Sequence, residues 1–262
     1  MKKLLFAGLL IVFLVPALAM AQSAFEGTWK VDMSKMQFPS KPDVFLLQNG
    51  RFQCTSCVPA IDIKADGTDQ KVSDDPYTDT QSVKLVDDHH VEITGKKSGK
   101  VILILKREVS ADGNTLTTHM TYNGNPTGGP QSATLTGTRV AKGPAGAHLI
   151  SGSWRNQKED ASAAALTWTY KLIGNEITMT TPTGISYTAK TDGTQAPFKG
   201  DPSVTHVAVK MMGRDTLVET DYRNGKVVGA TKMTIAADGK SANLVSEDKL
   251  AGTTYKYVAI KQ

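Results

Sequence analysis

The chain has 262 residues, with 30 Lys plus Arg, 25 Asp plus Glu, two Cys and 40% hydrophobic residues, a length for one large or two small domains. Its 23 glycines and 11 prolines are close to average, which excludes collagen-like and low-complexity classes. The formal charge of +5 includes Lys2 and Lys3 of a removable leader, and no long block of like charge occurs elsewhere, so no nucleic-acid partner is expected.

Met1-Lys2-Lys3 precedes an apolar run from Leu4 to Leu18, with small residues at Ala17, Ala19 and Ala21. A basic start, an apolar core and an Ala-x-Ala exit read as a secretory signal peptide over residues 1–21, cut before Gln22. Ala17-Leu18-Ala19 offers a second cut. The run is short for a spanning helix and contains Pro16; an uncleaved anchor is the alternative. No Cys follows it to carry a lipid, and no later segment could cross a membrane as a helix. The mature protein is expected to be exported, periplasmic or extracellular, with no membrane span.

Export bears on Cys54 and Cys57. An even cysteine count outside the cytoplasm favours a disulfide, although Cys-x-x-Cys also suits a redox couple or half a zinc site. A redox couple needs a helix N-terminus to lower the first thiol's pKa, and Val58-Pro59 follows here. Zinc needs two further ligands, and none is near. The closed loop is tiny, so the bond should contribute only about 2 kcal/mol.

Lys64-Ala65-Asp66-Gly67-Thr68 recurs 126 residues later as Lys190-Thr191-Asp192-Gly193-Thr194. The same offset carries Asp75-Pro76 onto Asp201-Pro202, Val83-Lys84 onto Val209-Lys210, Gly99-Lys100-Val101 onto Gly225-Lys226-Val227, and Ala111-Asp112-Gly113 onto Ala237-Asp238-Gly239. Gly27-Thr28-Trp29 matches Gly152-Ser153-Trp154 at an offset of 125. One constant spacing over separated motifs indicates a duplication. The expected organisation is a first repeat over 22–142, a linker over 143–151 and a second repeat over 152–262. The matched residues are mostly turn formers, and the four Asp-Gly pairs suit tight hairpins.

Between turns, runs such as Val91-Glu92-Ile93-Thr94 alternate apolar and polar residues, as half-buried strands do. Val101-Ile102-Leu103-Ile104-Leu105 is apolar on both faces, so one side is expected to meet the barrel interior and the other a second packed surface. A short helix or loop is expected near Asp160–Leu166, with Asp160 or Ser162 as its cap. The resulting fold class is all-β: two tandem antiparallel up-and-down β-barrels of about eight strands each, closed so that no edge is left open. A membrane-spanning barrel would need longer alternating strands and aromatic girdles than these runs offer.

Gly27-x-Trp29 at the start of the first strand resembles the lipocalin-like calycin superfamily, in which that tryptophan plugs the closed end of a barrel. Thr220-Asp221-Tyr222 looks like the superfamily's second motif, a turn between later strands. The resemblance implies that Trp29 and Trp154 each close a barrel and that Arg139 stacks over Trp29, with Lys256 or Tyr257 in the corresponding place of the second repeat. The whole chain also looks like secreted bacterial proteins with tandem repeats of this kind, which implies a fold and a compartment but no activity.

Local chemistry is sparse. His89 and His90 point to opposite faces of a strand and cannot grip one metal together, and His119, His148 and His206 are scattered. Asp74-Asp75 and Asp87-Asp88 lack the oxygen-rich spacing of a calcium loop. No nucleophile elbow, phosphate loop or zinc-helix motif occurs, so no catalytic residue, metal ligand or cofactor is assigned. The function expected is binding of a small apolar or amphipathic ligand in a barrel, with segments 33–42 and 156–165 bordering the mouths. A second reading is an envelope interaction or structural module with side-chain-filled barrels, favoured by only 6% aromatic residues. A third is an enzyme whose groups converge from distant strands.

Overall fold

Turn chemistry lays out the fold. Asp66, Asp112, Asp192 and Asp238 each accept on Oδ1 the backbone N–H two residues on, at 2.9, 3.0, 2.8 and 2.8 Å. The glycine after each has a positive φ between 65° and 94°, a region open to glycine at little cost. The computed structural model describes residues 23–262, so the expected signal peptide over 1–21 and its cut before Gln22 lie outside the described residues.

The first repeat contributes β1 (Gly27–Gln37), β2 (Asp43–Gln48), β3 (Arg51–Cys54), β4 (Ile61–Lys64), β5 (Gln70–Lys71), β6 (Thr80–Leu85), β7 (His90–Lys97), β8 (Lys100–Val109), β9 (Thr115–Tyr122) and β10 (Gln131–Lys142). The second contributes β11 (Gly152–Ala161), β12 (Thr167–Ile173), β13 (Glu176–Thr180), β14 (Ser186–Lys190), β15 (Asp192–Lys199), β16 (His206–Met212), β17 (Thr216–Arg223), β18 (Lys226–Ile235), β19 (Ser241–Asp248) and β20 (Thr253–Lys261). The protein is all-β and antiparallel, with ten strands per sheet rather than eight. The surplus includes two-residue β5 and the mostly exposed β15, neither of which shows the apolar alternation that marks a strand in sequence. Between β11 and β12, Ala163–Leu166 form one 3-10 turn, and Ser162 makes no capping bond there. Instead its hydroxyl donates to Gln131 Oε1.

The sheets do not follow the repeats. The first, barrel-like sheet runs β4-β3-β2-β11-β10-β9-β8-β7-β6-β5, and the second is a closed barrel of β1 with β12 to β20. Each repeat therefore lends its opening strand to the other's sheet. β11 sits between β10 and β2, and β1 sits between β20 and β12. The expected division at 22–142 and 152–262 is corrected accordingly: the first barrel is residues 43–161, and the second is 167–261 plus 27–37. Residues 143–151 join two neighbouring strands of one sheet. Ile150 and Ser151 there are buried.

The exchange also reassigns the barrel-closing residues. Trp29 belongs to the second barrel's core and Trp154 to the first's, and both are fully buried. Each indole N–H donates 2.8 Å to the carbonyl four residues before it, Phe25 and Ile150. Arg139 stacks over Trp154, its Cζ 3.9 Å from the ring centroid, so the expected Trp29–Arg139 pair is not formed. β10 neighbours β11, and Arg139 is in register with Trp154. Over Trp29 stands Lys261, at 5.2 Å and in register with it, rather than Lys256 or Tyr257. Gly27 and Gly152 have φ of 116° and 127°, and a side chain at Gly152 would collide with the Ala141 carbonyl oxygen at 2.2 Å. Cys54 and Cys57 are joined by a disulfide at the end of β3. No helix among the described residues is long and apolar enough to cross a membrane.

Candidate functional site: two facing barrel mouths

Beyond the exchanged strands, the repeats touch at a pair of equivalent turns. Asp75 accepts the Tyr77 N–H at 2.8 Å, and Asp201 accepts the Ser203 N–H at 2.7 Å. Across the gap, the Tyr77 hydroxyl donates to Asp201 Oδ1 at 3.0 Å and lies 3.0 Å from Ser203 Oγ, 126 residues away. Equivalent residues in mutual contact are what a local two-fold arrangement requires. Burial first, and the Asp201 charge second, push the Tyr77 phenol well above its usual pKa, so it stays a hydrogen-bond donor.

A cavity opens on each side of this contact, and Tyr77 and Asp201 line both. The first, about 430 Å³, is walled by Leu103, Met120 and Tyr122 and covered by Thr183 and Ile185 of the other repeat. Leu103 lies on the β8 face that carries Leu105 to the core, and Met120 and Tyr122 share the β9 face of core residue Leu116. The cavity is therefore the mouth of the first barrel. The second, about 380 Å³, includes Asp221, Gly229, Ser246, Asp248 and Tyr255, with Val58 and Tyr77 of the other repeat at its rim. Asp221 shares the β17 face of Leu217, and Ser246 and Asp248 share the β19 face of Leu244, both core residues. This is the mouth of the second barrel.

The two mouths occupy equivalent positions but differ in chemistry. Leu103, Met120 and Tyr122 become Gly229, Ser246 and Asp248 at the 126-residue offset. Gly95, opposite Leu103, becomes Asp221, opposite Gly229. The exchange is reciprocal in volume: a Cβ on Gly229 would stand 3.2 Å from Asp221 Oδ2.

Deeper in, the barrels carry opposite charge. In the first, Arg107 lies 4.1 Å from the Phe45 ring centroid, and its buried Nε and Nη1 have no hydrogen-bond partner among the described residues. Desolvation lowers its pKa to about 10, which leaves it cationic at neutral pH. In the second barrel that position is the buried Met233, and Glu219 and Asp221 replace Ile93 and Gly95. Tyr187 donates to Glu219 Oε2 at 2.5 Å. Burial is the main cause raising both carboxyls above the usual range, with the Asp221 charge adding at Glu219 and the Asp201 charge adding at Asp221.

The sequence drew attention to Asp75, Asp201, Asp221 and Leu103 for other reasons but assigned none of them to a mouth, and Thr220-Asp221-Tyr222 proves to lie within β17 rather than in a turn. The duplication held the signal: read at the constant offset, the inward faces show where matched positions diverge. Of the segments expected to border the mouths, Ala165 lines the first cavity. The histidines serve local structure. His89 meets the Val109 carbonyl, His90 pairs with Asp87, and His148 meets the Asp87 carbonyl, each at 2.7 Å. His119 and His206 contact threonine hydroxyls. No group of three metal-ligating side chains converges among the described residues.

A scan against protein-family models finds no match to the chain, and a search of the curated proteins returns no relative.

Proposed function

We propose that this is an exported, lipocalin-like binding protein that takes a small apolar or amphipathic molecule into the mouth of its first barrel. The observation that carries this reading is the cavity of about 430 Å³ walled by Leu103, Met120, Tyr122 and Ile185, with Asp75, Gln131 and Asp201 at its edge. Ligand sites have this size and this balance of apolar wall to few polar groups. Arg107 does not line this cavity but stands four residues beyond Leu103 on the same β8 face, its donors unpartnered among the described residues and Asp43 the charge that acts on it; an amphipath whose head extends that far gains from being acidic. The side-chain packing that fills the rest of both barrels favours the alternative, a structural envelope module without cargo.

Calorimetric titration with decanoate and with decanol separates the two. One saturable site is expected, with decanoate the tighter ligand, and Met120→Trp should fill the cavity and abolish binding while leaving the melting temperature within a few degrees. Protein that shows no saturable binding, and that native mass spectrometry finds empty when taken from its own envelope, would leave the structural module as the surviving account.

A further inference from the structure

The second mouth calls for a ligand of the opposite kind. Asp221 reaches its floor, and its buried Oδ1 has no hydrogen-bond partner among the described residues. One step deeper on the same strand face is Glu219, bonded to Tyr187 and flanked by Tyr170 and Tyr257. Trp168 packs edge-on against Tyr170, their ring centroids 6.4 Å apart, and its buried indole N–H also has no partner among the described residues. Tyr77 and Tyr255 stand at the rim with half-exposed Val58 and Leu250. The cavity thus combines the carboxylates of Asp201, Asp221 and Asp248 with the rings of Tyr77 and Tyr255, and an aromatic layer of Tyr170, Tyr187 and Tyr257 lies beneath it around Glu219. Among the described residues, the ion pairs include no partner for Asp201, Glu219, Asp221 or Asp248. Arg223 also lines the mouth and joins none of those ion pairs.

We infer that the second barrel's mouth binds a small organic cation of the alkylammonium type, its charge against Asp221 and its alkyl groups against the rings of Tyr77 and Tyr255. An inorganic ion fits less well, since no three ligating side chains converge among the described residues and the carboxylates share the cavity with the Tyr77 and Tyr255 rings and the apolar Val58, Val204, Val228 and Leu250. A quaternary or alkylated ammonium is weakly hydrated, gains from the negative faces of aromatic rings and needs no hydrogen-bond geometry. Its positive charge would supply the missing partner of a partly buried carboxylate, which otherwise loses hydration without compensation. The inference concerns a different cavity from the proposed amphipath site and stands without it.

The probe pair is choline and 3,3-dimethylbutan-1-ol, which match in shape and differ in a charged nitrogen against a neutral carbon. With the full mature chain at pH 7.5, choline is expected to bind saturably and about tenfold or more tighter than the alcohol. Asp221→Asn should remove that preference, and Met120→Trp in the other mouth should leave it intact. Should Asp221→Asn fail to fold, Asp248→Asn at the rim, whose amide oxygen can still accept the turn N–H groups of Leu250 and Ala251, must reduce choline affinity severalfold. Equal binding of the two probes, no saturable choline binding at millimolar concentration, or a preference untouched in the folded variant would each overturn the inference.

Discussion

At the residue scale, the buried acids of the second barrel and the exposed acids of the turns act on stability in opposite directions. Glu219 faces Tyr170, Tyr187, Tyr257 and Asp221, and Asp221 faces Asp201. With both carboxyls held above the usual range, the folded state keeps protons that the unfolded chain releases near pH 4. Their contribution is full below that pH and is lost as pH rises. Asp66, Asp112, Asp192 and Asp238 are held below the usual range, chiefly by hydrogen bonds from turn residues, so their contribution is full above about pH 4 and is lost in acid. His90, raised by its bond to Asp87, adds to the alkaline loss. The melting temperature should therefore peak near pH 4–5, on the order of the free carboxyl values, and decline toward pH 8. Glu219→Gln should flatten the decline and gain about 1–2 kcal/mol at pH 8. An equally steep decline in the variant, measured by calorimetry across this range, would show that Glu219 does not drive it.

At the element scale, the two closing strands are clamped unequally. Arg139 stacks on Trp154, donates from Nη1 to the Ser151 carbonyl at 2.8 Å and from Nη2 to the Leu149 carbonyl at 2.7 Å, and bonds the Gly113 carbonyl. That ties β11, the 143–151 loop and the β8–β9 turn to one guanidinium. The Lys261 ammonium makes one hydrogen bond among the described residues, to the Ala24 carbonyl at 3.0 Å, and a looser approach to its indole. Arg139→Ala should cost about 2–4 kcal/mol and Lys261→Ala about 1 kcal/mol or less, a difference that urea denaturation resolves; equal losses would mean the carbonyl bonds contribute little. The Gly-x-Trp pairs, the Asp-Gly turns, the disulfide and the strand-rich class were legible because each depends on neighbours a few residues apart. The partner of each tryptophan was not. Both repeats present the same strand edges, so β1 matches the gap in either sheet, and local pattern cannot choose between them. The stacking cation follows whichever strand arrives.

At the scale of the whole molecule, the hinges decide that choice. Phe38-Pro39-Ser40-Lys41-Pro42 joins β1 to β2. Two prolines in five residues fix φ and keep the preceding residues extended, so β1 projects away from β2 instead of folding back as a hairpin. Short stiff hinges of this kind favour strand exchange. The nine residues of 143–151, by contrast, let β11 return beside β10. The exchange brings both mouths to the Tyr77–Asp201–Ser203 contact, so the candidate sites are products of the assembly and could not be read from either repeat alone. A cut within 143–151 should not release two independent halves, because each fragment keeps a strand in the other's barrel; the nicked protein should elute as one species until denatured. A fragment spanning 41–162 holds all ten strands of the first barrel with Ile150 and Trp154, and should fold and melt cooperatively. A fragment spanning 22–142 lacks that indole and should not. Recovery of 22–142 and 152–262 as separately stable, folded proteins would show that the exchanged strands are dispensable, and with them the arrangement that sets one mouth against the other.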